Sequence, residues 1–143
     1  MTAAAPPTRA RWPAALTLVG AIVVLAAAFL PWVRSGESER NSFELLGVAR
    51  RLGVLDSGWQ RVAVVGWYFM PLAVTLVGLA MLLGRRRAVA LIGAAIGLGG
   101  VALVAAVRSA PVHTGMGVPI TMVAGVVTAG GGVLTFASRR RTS

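Results

Sequence analysis

Four stretches of this chain, residues 13–33, 62–84, 88–107 and 117–137, contain no Asp, Glu, Lys, Arg or His. Each is about the ~20 residues that a helix needs to cross a bilayer. Inside a lipid phase the backbone must satisfy its own polar groups, so each run is read as a helix. The chain has 143 residues, of which 57% are hydrophobic and 13% charged, which excludes an ordinary soluble domain. The expectation is an all-α membrane protein, an antiparallel bundle of four transmembrane helices.

The last run shows how such helices would pack. Gly117, Thr121, Gly125, Thr128, Gly132 and Thr135 recur at spacings of 4, 4, 3, 4 and 3, with Met, Val, Ile and Leu between them. A helix built this way carries one stripe without bulk, along which another backbone can approach, while lipid takes the bulky faces. The third run repeats the device with Ala90, Gly93, Gly97 and Gly100. The first offers Pro13, Thr17, Gly20, Val24 and Ala27, and the second Pro71, Thr75 and Gly78. Spacings that alternate 3 and 4 average 3.5, the period of a left-handed bundle. The expected packing seam is therefore Gly93, Gly97, Gly100, Thr121, Gly125, Thr128 and Gly132.

Arginine placement gives the orientation. All 14 basic residues are Arg, against four acids, for a net charge of +10. Arg9, Arg11, Arg85, Arg86, Arg87, Arg139, Arg140 and Arg141 fall on one side, in clusters beside the apolar runs. Arg34, Arg40, Arg50, Arg51, Arg61 and Arg108 fall on the other, with Glu37, Glu39, Glu44 and Asp56. The denser side is expected inside, which places both termini in the cytoplasm and the chain in the plasma membrane as a multi-pass protein. Residues 1–12 form a cytoplasmic tail on this reading, and 139–143 a second, basic one. Trp12, Trp32 and Trp59 stand where interfacial aromatics belong. A secretory signal peptide competes for the first run, with Ala26, Ala27 and Ala28 as cleavage site. The apolar stretch continues to Val33, which favours an uncleaved span.

The outer loop, residues 34–61, is the one sizeable polar segment. Asn41 and Glu44 read as a capping box that opens a short helix over about 42–52, closed by Gly53. Leu45, Val48, Ala49 and Leu52 give it an apolar face, so an extracytoplasmic amphipathic helix is expected. Phe43, Leu46 and Arg50 are then available to a partner.

Candidate chemistry is sparse. The chain lacks Cys, and its single histidine, His113, has no neighbours at metal-ligand spacing. Gly130, Gly131 and Gly132 lack the lysine of a phosphate loop. No catalytic, cofactor-binding or metal site is expected, and no buried charge exists for a proton or ion path. Nucleic acid is excluded as a partner because no basic surface interleaved with aromatics is present. Pro71 deletes one hydrogen bond of the second run and is read as an ordinary kink, with a broken helix that exposes backbone to a substrate as the alternative. Trp67, Tyr68 and Phe69 are read as an aromatic belt, with an apolar pocket beneath the outer helix as the alternative.

The first run closes in Phe29-Leu30-Pro31-Trp32, and the third runs from Arg87-Ala88-Val89 to Val107-Arg108 after a basic turn. In these features the chain resembles the small four-span membrane proteins of actinobacteria and is similar to the tryptophan-operon-associated membrane protein family. Its first outer loop, around Ser42-Phe43-Glu44-Leu45, departs from that pattern. The resemblance implies an integral membrane protein and brings no catalytic residues. Function is expected to be that of a non-enzymatic accessory, assembly or stabilising subunit of a cell-envelope complex. Its partners are then membrane lipid and either a membrane protein or a second copy of the chain. An oligomeric small-solute transporter or channel is the alternative, and an enzyme acting on lipid or envelope precursors the third reading.

Overall fold

The computed structural model describes residues 12–35, 37–53, 58–108 and 113–140. Asp56, Arg9, Arg11 and most of the two tails lie outside the described residues. The order of elements is α1 (Trp12–Ala28), β1 (Val33–Ser35), β2 (Ser38–Arg40), α2 (Ser42–Arg51), α3 (Gly58–Tyr68), α4 (Met70–Leu82), α5 (Arg86–Arg108), β3 (His113–Thr114) and α6 (Gly117–Arg140). The protein is mostly helical. Among the described residues two helices, α5 and α6, are long and apolar enough to cross a membrane. A third crossing arises if the bent pair Arg61–Tyr68 and Met70–Leu82 forms one span.

Helix α6 is the centre of the packing, with α5 along one side and α1 along the other, while α4 rests on α5 and α1. The small residues explain how close α6 comes to both neighbours. A Cβ placed on Gly97 would lie 2.5 Å from the carbonyl oxygen of Gly125 and 2.6 Å from the amide of Ala129. One on Gly132 would lie 2.8 Å from the carbonyl oxygen of Ala90. Toward α1 the contacts change partners: Gly20 meets Thr128, Gly93 meets Thr17, and Gly131 faces the amide of Thr17. Gly100 is in ordinary contact with Thr121 and Val24, at 3.4 and 3.7 Å. The row from Gly117 to Thr135 is thus divided between two neighbours, and the adjacent Gly131 and Gly132 serve one each.

Three of the buried threonines turn their hydroxyls back on their own helix. Thr17 donates to the carbonyl of Pro13 at 2.9 Å, Thr128 to Ala124 at 2.7 Å and Thr135 to Gly131 at 2.8 Å. Thr121 is fully buried and its Oγ1 has no partner. A buried hydroxyl without a hydrogen bond costs about 1–3 kcal/mol. Thr121→Val keeps the shape and removes that cost, so its folded state is expected to be unchanged or more stable. Thr128→Val gives up a bond and is expected to lose about 0.6 kcal/mol. Unfolding in mixed micelles distinguishes the two.

Several sequence expectations are corrected by this architecture. Helix α1 stops at Ala28 instead of running on to Val33, because Leu30 precedes a proline and is pushed out of the helical region. The strand Val33–Ser35 follows instead, and three short strands pair antiparallel in the order β2-β1-β3. Arg34 faces Glu39 on one side and His113 on the other, so the start of the segment expected as an outer loop joins residues 113–114 in a small sheet. In the second run the packed face of α4 is Met70, Val74, Val77 and Ala80. Pro71 and Thr75 are exposed, and Gly78 has only the side chain of Leu18 nearby, at 3.8 Å. The proline does more than kink: α3 and α4 meet at 58° across Phe69. Pro71 has no N–H for the carbonyl of Trp67, and the helix is interrupted there.

Helix α2 begins with the expected capping box: the Asn41 side chain accepts from the Glu44 amide at 2.9 Å, and the Asn41 amide donates to Glu44 Oε2 at 3.3 Å. Gly53, at φ 67°, ends it. Gly84, at φ 66°, reverses the chain between α4 and α5, where the amide of Arg85 reaches back to the carbonyl of Ala80 at 2.8 Å.

Candidate functional site

The feature that most resembles a site is an apolar groove on the side of the bundle. It follows from the interruption at Phe69. Below that residue α4 packs on α5, whereas above it α3 leans away and touches chiefly α4. The gap has a volume of about 360 Å³. Its walls come from α3, the start of α4 and the stretch of α5 between Ile92 and Ala106, and Leu46 of α2 closes one end. The volume falls within the ~300–1,000 Å³ usual for binding pockets.

The α5 wall is built from small side chains. Ala95, Gly99, Ala102 and Ala106 line the groove at spacings of 4, 3 and 4, all of them exposed. A Cβ on Gly99 would meet nothing within 4 Å, and the same holds for Gly66 on the facing wall. Larger side chains stand exposed on the same helices away from the groove, among them Leu91 and Leu98 of α5, Val123 and Val133 of α6, and Leu72 of α4. Helix α5 therefore carries two small stripes. One is filled by α6 and α1, and the other looks into the groove.

A buried hydrogen-bonded node holds the roof. Trp67 Nε1 donates to Ser42 Oγ at 3.0 Å, and Ser42 Oγ donates to the carbonyl of Ala28 at 2.8 Å. Trp32 Nε1 donates to the carbonyl of Ala27 at 2.8 Å. The Ala28 carbonyl at the end of α1 thereby gains a partner, and that of Ala27, which also accepts from the Leu30 amide at 3.2 Å, gains a second donor. The two indoles meet edge to face at 5.6 Å, and the Trp32 ring also lies against Gly117. Trp32 is wholly buried and Trp67 is 6% exposed, so neither belongs to an interfacial belt among the described residues. Trp12, Tyr68 and Phe69 are exposed. Outside the node, Phe29, Phe43 and Tyr68 form a row of rings with centroids 5.2 and 5.8 Å apart.

Of the three residues expected on the free face of α2, Arg50 is exposed and Phe43 is half buried in that row. Leu46 is 5% exposed and points into the bundle over the groove, so it is withdrawn from an outer partner. Ser42 needs the same inward face to reach Ala28, and Leu46 follows it one turn later. Leu52, expected on the packed face, is exposed.

The three acids among the described residues, Glu37, Glu39 and Glu44, do not converge. Glu44 serves the cap, Glu39 pairs with Arg34 at 2.8 Å, and Glu37 is exposed. Among the described residues no three His, Asp or Glu side chains gather as metal ligands would. No protein-family model matches the chain, and no curated protein or solved structure shows significant similarity to it. The resemblance in layout described above accordingly supplies no residue role.

Proposed function

We propose that the chain is a non-enzymatic accessory or assembly subunit of a cell-envelope complex, and that its lateral groove receives a transmembrane helix of a partner protein. In this reading α1, the α3–α4 pair, α5 and α6 make four crossings of the plasma membrane. Both termini lie in the cytoplasm, on the side of the arginine clusters. Helix α2 and the small sheet cover the outer end. Helix α1 is short for a crossing at 17 residues, and the extended segment after it completes the span. That segment has its backbone bonded within the protein: Gly117 donates to Pro31 at 2.9 Å, and Trp32 to Arg40 at 2.8 Å. Irregular backbone at membrane depth requires such burial.

The observation that carries the proposal is the second small stripe. Lipid chains fill space against bulky side chains as well as against small ones, so a lipid-facing wall has no need of Ala95, Gly99, Ala102 and Ala106 at seam spacing. A helix backbone does need it. A photoreactive benzoylphenylalanine at Gly99, in cells, tests this. The expected product is one discrete protein adduct, whose crosslinked peptide lies in an apolar span of the partner. Ala102→Phe, which fills the groove, should abolish it while the protein stays folded. Adducts to lipid alone, or to a second copy of the chain, contradict the proposal. So does an adduct that survives Ala102→Phe.

A further inference from the structure

A second recess, on the other side of the small sheet, combines charge with an apolar wall. Its volume is about 240 Å³, and it lies where α5 ends, β3 passes and α6 begins. Arg34, Arg108 and Thr114 line it together with Val104, Val118 and Met122, and of these Val104 and Val118 are buried. The two arginines are far apart in sequence. They are brought together because β1 pairs with β3 in the register that sets Arg34 opposite His113. Helix α5 delivers Arg108 at its last residue, and α6 starts across the recess at Gly117.

We propose that this recess binds an anionic phospholipid. Its phosphodiester sits between the two guanidiniums, and its acyl chains descend along the α5–α6 surface. A planar guanidinium matches two phosphate oxygens at once. Arg34 spends one edge on Glu39, at 2.8 Å, and its five N–H groups leave donors for a second acceptor. That ion pair is open to solvent, with the two side chains 57% and 49% exposed, so it does not lock Arg34 away. Free phosphate would find only screened surface charge here. A phospholipid also covers the apolar wall, including Met116, which is 64% exposed. Charge at the rim with apolar surface below is the arrangement of a headgroup and its chains. The inference rests on immersion in a bilayer and is independent of what fills the groove.

Native mass spectrometry of the full-length protein, released from a neutral detergent and titrated with dioleoyl phosphatidylglycerol, tests it. Wild-type protein should retain a lipid adduct that excess inorganic phosphate does not displace. Arg108→Gln, which leaves the Arg34–Glu39 pair intact, should weaken retention about tenfold. The double variant with Arg34→Gln should abolish it, and Arg51→Gln, outside the recess, should leave it unchanged. Met122→Gln should weaken retention of the lipid through the apolar wall. Unfolding temperatures without added lipid should match across the arginine variants. Unchanged retention in the double variant, equal loss in Arg51→Gln, or displacement by inorganic phosphate at the lipid's own concentration overturns the proposal.

Discussion

Gly97→Ala is expected to destabilise the protein by about 2–3 kcal/mol, while Gly99→Ala, two residues along the same helix, changes stability by less than about 1 kcal/mol. The pair isolates packing from helix propensity, because both replacements add the same methyl to the same helix. At Gly97 that methyl would fall 2.5 Å from the Gly125 carbonyl oxygen and 2.9 Å from the Ala129 side chain. The first obstacle is backbone, which cannot rotate aside, so α5 and α6 must separate along their length. At Gly99 the methyl enters open space over the groove. Titration with denaturing detergent in mixed micelles reads both. Leucine at the same positions should sharpen the contrast, with loss of the folded protein at Gly97 and retention at Gly99. Equal tolerance at the two sites would mean that α5 does not press its Gly97 face on α6.

Trp32→Ala should cost about 3–5 kcal/mol, the range for emptying a buried aromatic site. The residue is wholly buried and combines three tasks. It donates to the carbonyl of Ala27, packs edge to face on Trp67, and fills the space that Gly117 leaves open. Trp32→Phe restores most of the volume and loses the donor, leaving the Ala27 carbonyl with the Leu30 amide alone, at 3.2 Å. A loss of about 0.5–1.5 kcal/mol, the net worth of one hydrogen bond, is expected for that variant. The Trp32→Phe deficit thus measures the hydrogen bond, and the further loss in Trp32→Ala measures the packing. Tryptophan fluorescence supports the assignment if Trp32→Phe removes a component shielded from aqueous quenchers. Should both variants be as stable as wild type, Trp32 would be the interfacial anchor that its position in the sequence suggests.

What could be read from sequence was local or periodic. The capping box at Asn41 and Glu44 and the stop at Gly53 needed only neighbouring residues. The small stripes of the first, third and fourth runs needed only one helical period, and Thr17, Gly20, Gly93, Gly97, Gly125 and Gly132 are all buried. The sheet was out of reach because its strands are two or three residues long and its pairing joins His113 to Arg34 across more than half of the chain. Trp32 sits at the end of an apolar run, where a belt residue and a buried plug look alike. Only the fold brings Ser42, Trp67 and the end of α1 to it. Pro71 showed where the second run would weaken but gave no sign that it would turn by 58°. The groove follows from that angle. Its stripe of Ala95, Gly99, Ala102 and Ala106 was present in the letters, hidden beside the stronger glycine row on the same helix.

The account rests on α6 sitting between α5 and α1 with its small residues inward and its bulk in lipid. A nitroxide scan along α6 in lipid bilayers, read by oxygen collision rates, tests this most directly, and the chain's lack of Cys makes single labels simple to place. Rates should peak at Val123, Val126, Val133 and Leu134, the exposed positions, and fall at Ala124, Thr128 and Thr135, the buried ones. A scan without that alternation would contradict the account. High access at Thr128 to a water-soluble relaxation agent would contradict it too, since it would put an aqueous path where two helices are held to meet.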